Sequence, residues 1–127
     1  MTLLDQIGGR DALNAAVDDF YVRVLADDRV NGFFKPIDMD IQAKRQKRFL
    51  AQLLEGKAKD PAGYMRSAHS KLVHEDGLND AHFDAIAEHL QATLESYGVK
   101  GELLETIMGA VGALRDPVLD RDTAEVS

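Results

Sequence analysis

The chain has 127 residues, 45% apolar and 29% charged, with a net charge of -7, no cysteine and no tryptophan. That length suits one domain with a modest core. The acidic balance disfavours nucleic acid, whose phosphates require a basic surface, and the missing cysteines exclude disulfides, zinc-thiolate sites and thiol nucleophiles. The first residues lack the charged and apolar regions of a signal peptide, and no apolar run approaches the ~18 residues of a membrane span, so a soluble cytoplasmic protein is expected.

In chain order, Gly8-Gly9 reads as a sharp turn, because glycine accepts positive φ cheaply. From Asp11 to Ala26 the apolar residues Leu13, Ala16, Val17, Phe20, Tyr21, Val24 and Leu25 repeat at helical spacing. The stretch "DDRVNGFFKPID" is a break with a short helical turn around its two phenylalanines. Asp38 or Asp40 can cap a helix over 39–54, whose inward stripe is Met39, Gln42, Gln46, Phe49, Leu50 and Leu53.

"EGKAKDPAG" predicts a loop over 55–63, followed by a short helix over 64–74. A strong stripe from Phe83 to Leu94 predicts a helix over 80–97, stopped by Gly98. A further helix is expected over 101–114. The polar sequence after it predicts a flexible tail over 115–127, leaving one domain over 1–114. No alternating strand pattern of useful length occurs. The expected class is all-α, with four main helices and one short one.

Four polar residues sit awkwardly in these stripes. Tyr21, Gln42 and Gln46 point inward, and the two glutamines are i, i+4 neighbours on one face. A buried glutamine without partners costs about 1–3 kcal/mol, so the three together suggest a shared polar guest. The bland alternative puts them at the solvent edge of their stripes. His69 shares a face with Met65, Leu72 and Val73. It is either a packed histidine or a ligand for a group that is not protein, and a neutral imidazole is the usual axial ligand of haem iron in oxygen-binding proteins. All four histidines (69, 74, 82 and 89) fall in the second half, whereas Tyr21 and both glutamines fall in the first. His82 and His89 lack an evident third partner for a zinc site. Gly8-Gly9 follows no strand, so it is no nucleotide fingerprint.

Taken together, "DDFYVRVLADDRV…FF", "Q…QKRFL" and "MRSAHSKLV" resemble the group I truncated haemoglobins, and the likeness runs through nearly the whole chain. The resemblance implies a shortened globin fold, a two-over-two helical sandwich enclosing haem b. It implies His69 as proximal iron ligand, and a distal cage of Tyr21, Gln42 and Gln46 donating to bound dioxygen. It places Phe34 as a wedge against the porphyrin and Phe49 on its distal face. Met65 and Leu72, on His69's face, are expected to touch the cofactor as well.

Arg45 stands where some members carry a histidine as sixth ligand. A guanidinium has no free lone pair, so a five-coordinate iron is expected, with Arg45 reaching a haem propionate. Leu50 replaces a phenylalanine thought to gate a ligand tunnel in some members. No histidine follows His89, so the covalent haem link of some members is not expected. The implied function is reversible O2 binding, with capacity to convert NO and bound O2 to nitrate. O2, NO and CO are the implied ligands, a separate reductase the implied donor, and a monomer the expected state. The competing expectations are O2 storage or gas sensing without turnover, and a haem-free helical interaction protein.

Overall fold

The computed structural model describes residues 2–120, and every described element is helical. Helix α1, Leu3–Ile7, is fixed by a capping box in which Thr2 and Asp5 exchange side chain-to-backbone hydrogen bonds. Gly8 ends α1 and starts α2, Gly9–Leu25, at φ 115. An added Cβ there would lie 2.9 Å from the Ala12 Cβ, so glycine is required twice over, by backbone and by space. A 3-10 turn, Asn31–Phe34, leads to α3, Met39–Glu55, where Asp38 accepts from the backbone N–H groups of Asp40 and Ile41.

Helix α4, Pro61–Asp76, opens with proline inside its first turn and Asp60 accepting from the Gly63 N–H. It is therefore longer at both ends than the 64–74 expected, because the cap lies ahead of the first apolar residue. Helix α5, Asp80–Ser96, is capped by Asn79, with His82 Nδ1 accepting from the Asn79 N–H. That bond gives His82 a structural role. Helix α6, Gly101–Gly112, completes the main set.

Packing follows the apolar stripes. Helix α2 lies against α3 and α5, and α5 against α6. The core joins Leu13, Val17, Phe20 and Val24 of α2 to Phe49, Leu50 and Leu54 of α3 and to Phe83 and Leu94 of α5. Two helical pairs thus close on one another. No helix among the described residues is long and apolar enough to cross a membrane.

One expectation is corrected. The tail does not begin at 115: Arg115–Val118 forms a further short helix, α7, with Pro117, Val118 and Leu119 buried. Helix α7 is the main neighbour of α4. It is pinned by Arg115, which sits 4.6 Å above the Phe83 ring and pairs with Asp80 and Asp84 of α5. Residues 121–127 of the expected tail lie outside the described residues.

Candidate functional site

The two helical pairs and α4 leave an apolar cavity of about 470 Å³ between them, within the range of cofactor sites. Every residue that the resemblance assigns to a haem site borders it: Tyr21 from α2, Phe34 from the 3-10 turn, Gln42, Arg45, Gln46 and Phe49 from α3, and Met65, His69 and Leu72 from α4. Leu50 borders it too. The glutamines are not at a free solvent edge; both are half-buried on the cavity wall.

On the α4 side, His69 Nδ1 lies 2.8 Å from the Met65 carbonyl oxygen. A carbonyl can only accept, so Nδ1 carries the proton and Nε2 keeps its lone pair. Burial pushes the imidazole pKa below its ordinary 6.5, the backbone bond opposing this more weakly, so the ring is neutral at neutral pH. A neutral imidazole, oriented through one nitrogen and free at the other, has the form of a metal ligand with its outer partner already in place.

On the opposite side, Gln42 Nε2 donates to the Tyr21 hydroxyl at 3.2 Å. Tyr21 is 7% exposed, and burial raises its pKa above 10, so the phenol stays protonated. Its oxygen accepts from the amide while its hydrogen remains available to donate. The ring is held by Phe20, at 5.1 Å, and by an edge-on contact with Phe34, at 5.9 Å. Gln46, one turn beyond Gln42, has no side-chain partner among the described residues. One largely apolar cavity therefore holds a lone pair contributed by α4 and hydrogen-bond donors contributed by α2 and α3. This arrangement fits an iron porphyrin, whose metal needs the first and whose diatomic ligand uses the second.

The other histidines are accounted for. His74 donates to Asp120 and His89 to Asp27, each at 2.6 Å, while the His82 ring packs edge-on against Phe33. No group of three metal-ligating side chains occurs among the described residues. Sequence reasoning passed over several cavity residues. In sequence, Phe20 and Phe83 look like ordinary core stripe positions, Tyr64 starts a helix and Val118 lies in the polar tail, yet all four border the cavity. Tyr64 stacks on Phe49 at 5.3 Å, so the phenylalanine was legible as a wall but its partner was not.

Comparison with known proteins identifies the family and the fold. The bacterial-like globin family model matches residues 2–120. The group 1 truncated hemoglobin GlbN of Synechocystis is 46% identical over 112 residues, covering 88% of this chain and 90% of its own. A group 1 truncated hemoglobin of Chlamydomonas moewusii is 40% identical over 119 residues, 94% of this chain and 68% of its own. The 2/2 hemoglobin of Synechococcus sp. PCC 7002, crystallised in the cyanomet state with covalently attached heme, superposes with a TM-score of 0.89 at 42% identity, covering 95% of this chain and all of that one. The Fe(III) truncated hemoglobin of Tetrahymena pyriformis gives 0.80 at 40% identity, covering 94% and 98%. The fold and pocket are those of a globin, and the chain belongs to the bacterial-like globin family. Within it, the relatives named place the chain among the group 1 truncated haemoglobins.

Proposed function

We propose that this globin holds haem b non-covalently, binds O2 tightly and reversibly, and turns over NO with that O2 to nitrate. The observation that carries the reading is the Gln42-to-Tyr21 hydrogen bond in the same cavity that His69, with Nε2 free, also borders. Bound haem would supply a ferrous iron able to take one diatomic ligand and the one-electron chemistry by which O2 and NO become nitrate.

The chain's own groups do the rest. His69 offers Nε2 to the metal while Met65 fixes the ring. Tyr21 offers its proton to the polarised guest, Gln42 holds the phenol by its oxygen, and Gln46 offers a further amide. Phe34, Phe49, Met65 and Leu72 supply the apolar walls that keep these bonds dry. Arg45 carries the charge suited to a propionate at the rim. Its guanidinium would offer bound haem iron no lone pair, and no histidine precedes His69, so neither Arg45 nor a histidine of α2 or α3 would compete with a diatomic ligand for the metal. No histidine follows His89, which favours exchangeable cofactor, unlike the Synechococcus structure.

Stopped-flow mixing of the oxygenated ferrous protein with NO tests the turnover: one nitrate per haem, formed rapidly, is the expected result. Slow reaction beside slow O2 release would replace turnover with storage or sensing. A low-spin six-coordinate spectrum without added ligand would remove the open distal site.

A further inference from the structure

The chain's charge is unevenly placed. Between residues 35 and 59 lie seven of its 15 basic residues and three of its 22 acidic ones, a local excess of four positive charges on a chain of net -7. Much of this basic segment is α3, and most of its cations are not spent internally. Lys47 pairs with Asp18 and Lys57 with Glu55, but Lys44, Arg45, Arg48 and Lys59 have no ion-pair partner among the described residues. Lys44 and Arg48 are i, i+4 neighbours on α3, and Arg48 and Lys59 both line a basin of about 350 Å³. The one carboxylate lining that basin, Asp60, is occupied in capping α4.

The same rim exposes apolar surface. Ile37, Ile41 and Tyr64 are 40%, 47% and 47% exposed, half of the large hydrophobic residues so exposed among those described. Unpaired Arg beside an exposed Tyr suits the anchoring points of a protein interface, and the lysines suit its charged rim. This face is also continuous with the haem cavity, since Arg45, Phe49 and Tyr64 border both regions.

We propose that this basic rim is the docking face for an acidic electron-transfer protein that delivers one electron to the ferric haem. The inference rests on the turnover reading above, which leaves iron ferric after each cycle. The donor loses one electron, the iron gains it, and no proton or group moves. With no cysteine, the chain can hold neither a thiolate-ligated cluster nor a dithiol of its own, which suits an external donor. A partner seated here sits at the mouth of the cavity, and its carboxylates meet cations that no internal acid neutralises. An anionic membrane is the poorer match. A helix that lies in a membrane needs a free apolar face, whereas α3 buries Phe49, Leu50 and Leu54 in the core.

The test uses the holoprotein in its ferric form, with fully reduced flavodoxin, an acidic flavoprotein, as the probe. Electrostatically steered association runs 10- to 1000-fold faster than the unsteered rate and falls steeply with salt. The triple substitution Lys44→Glu, Arg48→Glu, Lys59→Glu should therefore slow reduction by flavodoxin about tenfold or more at low salt. Wild-type reduction should fall toward that rate as salt rises. Reduction by dithionite, O2 dissociation and the thermal midpoint should not change. Equal rates for the two proteins, or a wild-type rate indifferent to salt, would overturn the proposal. So would binding of the wild type alone to phosphatidylserine vesicles with flavodoxin reduction unaltered. The NO reaction starts from protein already reduced and oxygenated, so its failure strikes the turnover reading, while failure here beside a rapid NO reaction strikes only the docking face.

Discussion

The distal pair allows a prediction with its magnitude built from geometry. Tyr21 accepts from Gln42 at 3.2 Å, which leaves the phenolic hydrogen for the guest. A hydrogen bond to a partly charged acceptor in such a pocket contributes about 1.5–3 kcal/mol, and a neutral one about 0.5–1.5. Tyr21→Phe removes the charged-acceptor bond, so O2 dissociation should quicken by about 10- to 150-fold, most of the lost affinity falling on the off-rate. Gln42→Leu removes only the bond that aims the phenol, and should quicken dissociation by no more than about 12-fold. Because the amide acts through the tyrosine, the double substitution should resemble Tyr21→Phe alone, falling short of additivity by about 0.5–1.5 kcal/mol. Stopped-flow displacement of O2 by excess CO reads all four rates. Additivity within about 0.3 kcal/mol would mean that each side chain reaches the ligand independently. A change below threefold for Tyr21→Phe would mean that its proton points elsewhere.

Three further outcomes follow from other parts of the fold. His69→Ala should abolish hemin uptake and the Soret band while far-ultraviolet circular dichroism stays helical; retained pigment would dismiss His69 as the ligand. Leu119→Ala, at a site 5% exposed, should cost about 2–3 kcal/mol in urea melts, whereas a frayed tail would register almost nothing. Asp120, held below its usual 3.8 first by His74 and then by Arg66, is fully ionised in the native state at a pH where the unfolded carboxyl already takes up a proton. Its stabilisation is complete above about pH 4 and is lost as pH falls through the lowered native value, so Asp120→Asn should flatten the acid limb of the stability curve. An unchanged limb would show that the clamp carries no load.

The main helices were legible because each is long enough to show its period. Leu13, Ala16, Val17, Phe20, Tyr21 and Val24 of the α2 stripe are buried, whereas Leu25, at the end of the helix, is 41% exposed. Helix α1 has five residues and α7 four, too few for periodicity to declare itself. The burial of Pro117, Val118 and Leu119 comes from packing near α4 and from Arg115 over Phe83 on α5, contacts that a polar sequence around one proline does not announce. The site residues were legible for the opposite reason. Tyr21, Gln42, Gln46 and His69 were misfits on apolar faces, and all four border the cavity. Hydrogen-bond direction was not legible, since Tyr21 and Gln42 are 21 residues apart on different helices. Neither was the unpaired state of Lys44, Arg48 and Lys59. Read along the chain, they are an ordinary solvated face; their lack of partners is decided by where the acidic residues fold.

Direction matters more here than residue type. A buried histidine and a buried tyrosine each have two polar functions, and a cavity lined by both could hold a chain of hydrogen bonds closed on itself. In this fold one function of each is consumed by protein. The Met65 carbonyl takes the Nδ1 proton, which leaves a lone pair, and the Gln42 amide takes the phenolic oxygen, which leaves a proton. Each wall therefore presents the opposite of what it would keep if those partners were exchanged. A carbonyl in place of the Gln42 amide would draw the tyrosine proton away from the cavity and leave only an acceptor, which repels the electron-rich end of bound O2. Gln42→Glu poses that case, because an ionised carboxylate can only accept. It should speed O2 release more than Gln42→Leu does, although it keeps nearly the volume of the glutamine. If the glutamate variant held O2 as long as the wild type, donor direction would not be what retains the ligand.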